Sequence, residues 1–203
     1  MIHVSIDDKT LELESKITIL EAAKSLGIRI PTLCNNDYLR PYSGCRICLV
    51  EVHMGGDPER SVLVPACSGL VEDGIVVITN SERVKKARTF IIELFLSRCP
   101  ESKEIQEMAK ELGVSFEDKE SLDIVGQYLL DRAPRIEHTN CILCGLCVRV
   151  CAEVPKRHAL SFAGRGMQRK VRSPFGKIAT TCIGCGSCAY VCPTNTITIE
   201  EAT

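Results

Sequence analysis

The chain opens on strict alternation. Ile2, Val4 and Ile6 are apolar and interleave with His3 and Ser5, which predicts a half-buried strand. Asp7, Asp8 and Lys9 make a turn, and alternation resumes at Leu11 and Leu13 to complete a hairpin. Thr18 followed by Glu21 is a capping box. It opens a short helix through Leu26, and Gly27 supplies the stop. Two more apolar segments, 48–54 and 75–78, read as strands. After residue 79 the period changes from two to that of a helix. Asn80 or Ser81 caps a helix with Val84, Ala87, Ile91, Leu94 and Phe95 along one face, running to about Arg98 and stopping near Pro100. Ser102 caps a second, with Ile105, Met108, Ala109 and Leu112 inward and Gly113 at its end. A weaker helix covers 122–130.

These elements predict an α+β protein in three parts. Residues 1–79 run strand, strand, helix, cysteine loop, strand, strand, the order of a β-grasp ferredoxin. Residues 80–134 form a helical linker. Residues 135–203 hold short segments built around repeated cysteines.

Composition narrows the class. A chain of 203 residues suits one large or two small domains. A formal net charge of −1 offers nothing to attract nucleic acid. Aromatics are 4% and tryptophan is absent, so cores rest on Ile, Val, Leu and bound groups. The longest apolar run in the helical part, FIIELFL at 90–96, holds Glu93 and is too short to span a bilayer. The opening strand is unlike a secretory leader. Thirteen cysteines without a leader imply a reducing, cytoplasmic compartment, where thiols serve as metal ligands rather than in disulfides.

Eight of those cysteines form two copies of one spacing, C-x2-C-x2-C-x3-C. The first is CILCGLCVRVC, with Cys141, Cys144, Cys147 and Cys151; the second is CIGCGSCAYVCP, with Cys182, Cys185, Cys188 and Cys192. Two-cluster bacterial ferredoxins use this run, the fourth cysteine ligating the other cluster. The expectation is one [4Fe–4S] cluster on Cys141, Cys144, Cys147 and Cys192, and another on Cys182, Cys185, Cys188 and Cys151. Structural zinc is the alternative, but it usually takes pairs of cysteines or mixes in histidine, and two crossed quartets fit that poorly.

Four more cysteines, Cys34, Cys45, Cys48 and Cys67, lie in the front part as C-x10-C-x2-C-x18-C. The plant-type [2Fe–2S] run is C-x4-C-x2-C with a distant fourth, so the central pair matches and the first gap is longer. Gly44 beside Cys45 leaves room for backbone N–H groups to reach the sulfurs, which helps set a potential. Four buried free thiols are the plainer alternative.

Cys99 is left over, either an isolated thiol or the remnant of another site. His138, three residues before Cys141, is either a solvated loop histidine or a partner to a cluster sulfur. Lys156, Arg157, Arg165, Arg169, Lys170, Arg172 and Lys177 form a stretch with no acid. It either steers an acidic partner or balances anionic clusters. Gly164 and Gly166 are too few for a nucleotide loop, and neither a flavin or nicotinamide motif nor a Ser-His-Asp arrangement is present.

Together these features resemble the iron–sulfur family of three kinds of protein. They are the N-terminal region of the complex I large iron–sulfur subunit, the diaphorase small subunit of bidirectional NAD-linked hydrogenases, and the N-terminal region of iron-only hydrogenases. The likeness covers nearly the whole chain. It extends through non-ligand residues in NCILCGLCVRVCAEV, LSFAGRG and SPFG. It implies a [2Fe–2S] site at Cys34, Cys45, Cys48 and Cys67, and a double-cubane domain behind it. It also implies single-electron relay between a flavin- and NAD(P)H-linked subunit and another redox partner: a hydrogenase, a formate dehydrogenase or a ferredoxin. One departure stands out. The family usually carries a histidine and three cysteines between the two domains, where this chain reads SRCPESKEIQEMAKELG with Cys99 alone. A fourth cluster is therefore expected to be missing. Ending at Thr203, the chain is expected to carry neither a hydrogenase nor a molybdopterin-type domain. The competing readings are a freely diffusing multi-cluster carrier and the iron–sulfur subunit of a succinate dehydrogenase or fumarate reductase type.

Overall fold

The computed structural model describes residues 1–114, 139–176 and 180–199. The chain divides into two compact units, Met1–Leu33 with Pro41–Ile91, and Cys34–Arg40 with Ile92–Thr203.

The first unit is a five-stranded mixed sheet. Strands β1 (Ile2–Ile6) and β2 (Lys9–Leu13) form the expected hairpin, with Ile2 opposite Leu13. They are followed by α1 (Ile19–Ser25), β3 (Leu49–His53), β4 (Ser61–Pro65) and β5 (Ile75–Ile78). The spatial order is β2-β1-β5-β3-β4, with β5 parallel to β1 and antiparallel to β3. The alternating residues Val4, Ile6, Val50, Val52, Ile75 and Val77 are buried with Ile19, Leu20, Ala22 and Ala23 of α1. Each such Val, Ile or Leu contributes roughly 1.5–3 kcal/mol by leaving water. The capping box is formed. The Glu21 N–H donates to Thr18 Oγ1 at 3.2 Å, and the Thr18 N–H donates to Glu21 Oε2 at 2.7 Å. Gly27 ends the helix at φ +70°, a conformation other residues adopt only with strain.

Two expectations need correcting. Strand β4 was not anticipated. It is a short, half-buried edge strand that ends at Pro65 after two tight turns, and an edge is where a strand tolerates proline. The inward face of α2 (Glu82–Arg98) also differs. The buried line is Val84, Arg88, Ile92 and Leu96, joined by Glu93 and Ser97, while Leu94 is exposed. The reason is Arg88, whose Nη2 donates to the carbonyl of Leu49 at 2.7 Å. That bond makes burial of a charged residue tolerable and rotates the helix away from the face its apolar residues suggest. Ser81 caps α2, its Oγ accepting from the Val84 N–H at 3.2 Å and donating to Glu51 Oε2 at 2.5 Å.

After the Cys34–Arg40 segment, the second unit takes in the end of α2 and continues into α3 (Lys103–Glu111), where Ile105 and Ala109 are buried and Met108 and Leu112 half-buried. Gly113 follows at φ +72°. Helix Leu146–Glu153, a hairpin of β6 (Ser161–Ala163) and β7 (Lys170–Arg172), and the short helix Ser187–Tyr190 complete it. The expected helix over 122–130, His138 and Lys177 lie outside the described residues. No helix among the described residues is long and apolar enough to cross a membrane.

Candidate iron–sulfur sites

Both repeated loops switch backbone hand at the same two places. Leu143 (φ +56°) and Gly184 (φ +67°) stand before the second cysteine; Gly145 (φ +79°) and Gly186 (φ +72°) stand after it. Each of those last two glycines then opens a helix, Leu146–Glu153 or Ser187–Tyr190. Such hand changes make successive N–H groups converge on a concavity suited to an anion, which explains why the spacing works.

The two loops border two cavities. One, of about 910 Å³, is lined by Cys141, Cys144, Cys147 and Cys192, with Cys188 also at its wall. The other, of about 420 Å³, is lined by Cys151, Cys182, Cys185 and Cys188. The last cysteine of each run therefore faces the cavity of the other run. Each of these fourth sulfurs also accepts a backbone N–H, Cys151 from Ala159 and Cys192 from Thr196, both at 3.3 Å. Donors of this kind stabilise added negative charge on a bound cluster.

The settings of the two loops differ. Burial pushes the Cys144 thiol up to about 11, the neighbouring sulfurs of Cys141, Cys192 and Cys34 adding to it. Burial also pushes Cys147 up to about 12. Cys182 and Cys185 are exposed, and a hydrogen bond with the Ser187 side chain holds Cys185 below the ordinary thiol range. At Cys192 burial works upward, but the N–H groups of Thr194 and Thr196 outweigh it and the net shift is down.

In the front region Cys34, Cys45, Cys48 and Cys67 are all buried. Cys45, Cys48 and Cys67 belong to the first unit, and Cys34 to the segment grouped with the second. Pairing of β3 with β4 continues past the strand ends, the Ala66 N–H donating to the Cys48 carbonyl at 3.0 Å, so Cys48 and Cys67 come to neighbouring strand ends. Ser43 and Arg46, on either side of Gly44 and Cys45, are left-handed at φ +60° and +62°. A Cβ at Gly44 would run into the ring of Tyr42, a packing reason for glycine that the sequence did not reveal.

The donor chemistry fits iron–sulfur clusters. Among the described residues, the metal-ligating side chains that line both cavities are all cysteine sulfur, with no histidine or carboxylate at either one. Among the described residues no three Cys, His, Asp or Glu side chains converge on a single-ion site. A tetrahedral zinc at Zn–S of about 2.3 Å would draw its sulfurs to about 3.8 Å from one another. The walls carry cations instead of acids: Arg98, Arg169, Lys170 and Arg172 at the larger cavity and Arg157 at the smaller. Arg98 is anchored there, its Nε donating to the Cys141 carbonyl at 2.9 Å and Nη2 to the Arg169 carbonyl at 3.1 Å. Four members of the basic stretch thus line cavities, as expected of counter-charges to anionic clusters. Sequence reasoning missed Arg98, whose position gave no hint of this placement. Gly164 belongs to the β6–β7 turn, where a Cβ would meet the Gln168 carbonyl oxygen at 2.5 Å.

Cys99 lines neither cavity. It is fully buried, its Sγ donates to the Phe95 carbonyl at 3.1 Å, and burial pushes its thiol up to about 12.

Comparison with known proteins agrees with this chemistry. Residues 1–82 match the 2Fe-2S iron-sulfur cluster binding domain, and residues 140–196 match the 4Fe-4S dicluster domain. The chain is an iron–sulfur protein. It is 35% identical over 205 residues to an NADH-quinone oxidoreductase subunit of Rhizobium meliloti, covering 95% of this chain and 23% of that protein. To NADP-reducing hydrogenase subunit HndD of Solidesulfovibrio fructosivorans it is 34% identical, covering 99% of this chain and 36% of the relative. The NADPH-Fe(3+) oxidoreductase subunit alpha of Geobacter sulfurreducens is 32% identical, with 97% and 24% covered. The iron–sulfur chain thus spans roughly a quarter to a third of the length of these relatives. A chain in the crystal structure of NAD+-reducing [NiFe]-hydrogenase in the H2-reduced state shares the fold, with a TM-score of 0.72 over 96% of this chain and 86% of that one, at 21% identity.

Proposed function

We propose that this chain relays single electrons through three clusters as a cytoplasmic subunit of a larger oxidoreductase. A [2Fe–2S] cluster is held by Cys34, Cys45, Cys48 and Cys67. One [4Fe–4S] cluster is held by Cys141, Cys144, Cys147 and Cys192, the other by Cys182, Cys185, Cys188 and Cys151. The five-stranded sheet with α1 supports a β-grasp domain over 1–79, ahead of a helical linker over 80–134 and a ferredoxin-like domain over 135–203. The observation that carries the ligand sets is the pair of cavities, each bordered by three cysteines of one run and the fourth of the other.

When bound, such clusters take up and release one electron at a time without bond changes in the protein. The residues of this chain do the rest. Backbone N–H groups of Ala159 and Thr196 and the cations Arg98, Arg157, Arg169, Lys170 and Arg172 stabilise added negative charge. Cys188 borders both cavities, and the charge of Cys34 acts on Cys144. The shared Cys188 supports electron exchange between the two [4Fe–4S] clusters. Cys99, buried and hydrogen-bonded to the Phe95 carbonyl, supports a structural thiol rather than a ligand of the family's fourth cluster. The partners are a flavin-containing NAD(P)H-linked subunit and a second redox protein, a hydrogenase, formate dehydrogenase or ferredoxin. The names of the relatives support that choice.

The test is anaerobic isolation of the tagged chain from its own host. About ten iron and ten sulfide per chain are expected, two from the [2Fe–2S] and four from each [4Fe–4S] cluster. Flavin and NAD(P)H-dependent dye reduction should elute with it. Zinc without sulfide sinks the cluster reading. A clean monomer that exchanges electrons with unrelated enzymes replaces the subunit reading with a diffusing carrier.

A further inference from the structure

Arg88 is a buried cation in an unusual setting. Only 6% of it is exposed, although arginine is almost never fully buried unless paired. Its Nη2 donates to the Leu49 carbonyl, while Nε is buried with no hydrogen-bond partner among the described residues. No carboxylate there forms an ion pair with it. The acid that acts on it, Asp7, is engaged by the N–H and Oγ1–H of Thr79, both at 2.8 Å. An unpaired buried charge is strongly unfavourable, so a counter-charge is expected close by. The structure offers one. Leu49 follows Cys48 directly, so the guanidinium is hydrogen-bonded to the backbone beside a sulfur assigned to an anionic cluster. Placement follows from the helix. With Ser81 capping α2, Arg88 falls one turn after the buried Val84 and one turn before the buried Ile92, in line toward β3.

We propose that Arg88 is a positioning residue for the front cluster: it fixes the Cys48 loop through the Leu49 carbonyl and supplies the fixed positive charge that makes reduction of that cluster easier. One electron enters, no bond forms or breaks, and Arg88 keeps its proton in both redox states. A fixed cation in a low-dielectric site favours the more negative, reduced form. Removing the charge therefore moves the midpoint potential to more negative values.

The inference rests on assigning a [2Fe–2S] cluster to Cys34, Cys45, Cys48 and Cys67, and the experiment separates the two. Iron content and EPR-monitored redox titrations are measured anaerobically on the full chain and on Arg88→Lys, Arg88→Gln and Arg88→Met. Gln keeps a donor without charge; Lys keeps charge and a donor; Met keeps neither. Gln and Met should shift the [2Fe–2S] midpoint downward, Lys should stay near wild type, and the two [4Fe–4S] potentials should not move. Loss of [2Fe–2S] iron from Gln and Met but not Lys also supports the role. A wild-type midpoint in Gln, a shift in Lys equal to that in Gln, or loss of the cluster from all three overturns it. Wild-type protein with no [2Fe–2S] signal overturns the cluster assignment instead.

Discussion

The two cysteine loops of the second unit are copies in spacing and in backbone hand, yet their surroundings are opposite. Both turn left-handed before and after the second cysteine. Around Cys141 the sulfurs are buried or half-buried, and burial holds Cys144 and Cys147 protonated well above the ordinary thiol range. Around Cys182 two sulfurs are exposed and one of them is held below it. Spacing and hand thus shape a loop, while the rest of the fold decides how readily charge enters and how well the bound group is shielded. The lesson carries to the repeat itself. Where the second copy has Gly184, the first tolerates Leu143 in a left-handed conformation that costs a non-glycine residue roughly 1–2 kcal/mol.

The sharpest way to break this comparison is to cut the crossed pairing. Cys192→Ser should cost the cluster bordered by Cys141, Cys144 and Cys147, and Cys151→Ser the other, each removing about four iron. Iron analysis with EPR checks it. Loss of the Cys182-loop cluster from Cys192→Ser would refute the assignment. Next in size is the difference in shielding. A ferrous chelator or mild oxidant should release iron in two phases, the exposed Cys182-loop cluster first. In Cys192→Ser the fast phase should remain and the slow phase shrink. Equal rates for both clusters would show that burial does not protect.

A smaller effect is expected from exchanging the left-handed residues. A Cβ at Gly184 meets nothing within 4 Å, so Gly184→Leu should destabilise through backbone conformation alone, by about 1–2 kcal/mol. Leu143→Gly relieves the same strain but removes a half-buried side chain, so its net change should be smaller. Anaerobic thermal unfolding compares the two, and a neutral Gly184→Leu would contradict the left-handed geometry. The smallest effect separates burial from ligation. Cys99→Ser should keep the iron content and spectrum, with stability within about 1 kcal/mol of wild type. The folded Cys99 thiol, pushed up to about 12, stays protonated where an unfolded thiol near about 8.5 ionises. Its contribution to stability is therefore full below pH about 8 and falls as pH rises toward 12. Native protein at pH about 8 should leave Cys99 unalkylated by iodoacetamide, and unfolding should expose it.

Much was legible in the chain because the relevant physics is local. Alternation at Ile2, Val4 and Ile6, the Thr18–Glu21 box, the stops at Gly27 and Gly113 and the cap at Ser81 each depend on residues a few positions apart. The cysteine spacing belongs to the same class, since it needs only a short loop and two glycine-like turns. Three features were not legible. Strand β4 ends on Pro65, and a proline reads as a strand breaker until pairing with β3 shows it on a sheet edge. The inward face of α2 turns on Arg88, whose burial depends on a carbonyl 39 residues earlier. The basic stretch reads equally as a face for a partner or for the clusters, and only the fold places Arg169, Lys170 and Arg172 at the larger cavity with Arg98, and Arg157 at the smaller.

The sequence by itself determined which sulfurs travel together and where the chain turns, because ligand spacing and turn chemistry act over a few residues. The tertiary structure alone decided which cations stand beside the sulfurs and which loop is shielded from water. Those outcomes depend on groups far apart in the chain meeting in a low-dielectric interior, where the strength of a charge is set by its surroundings.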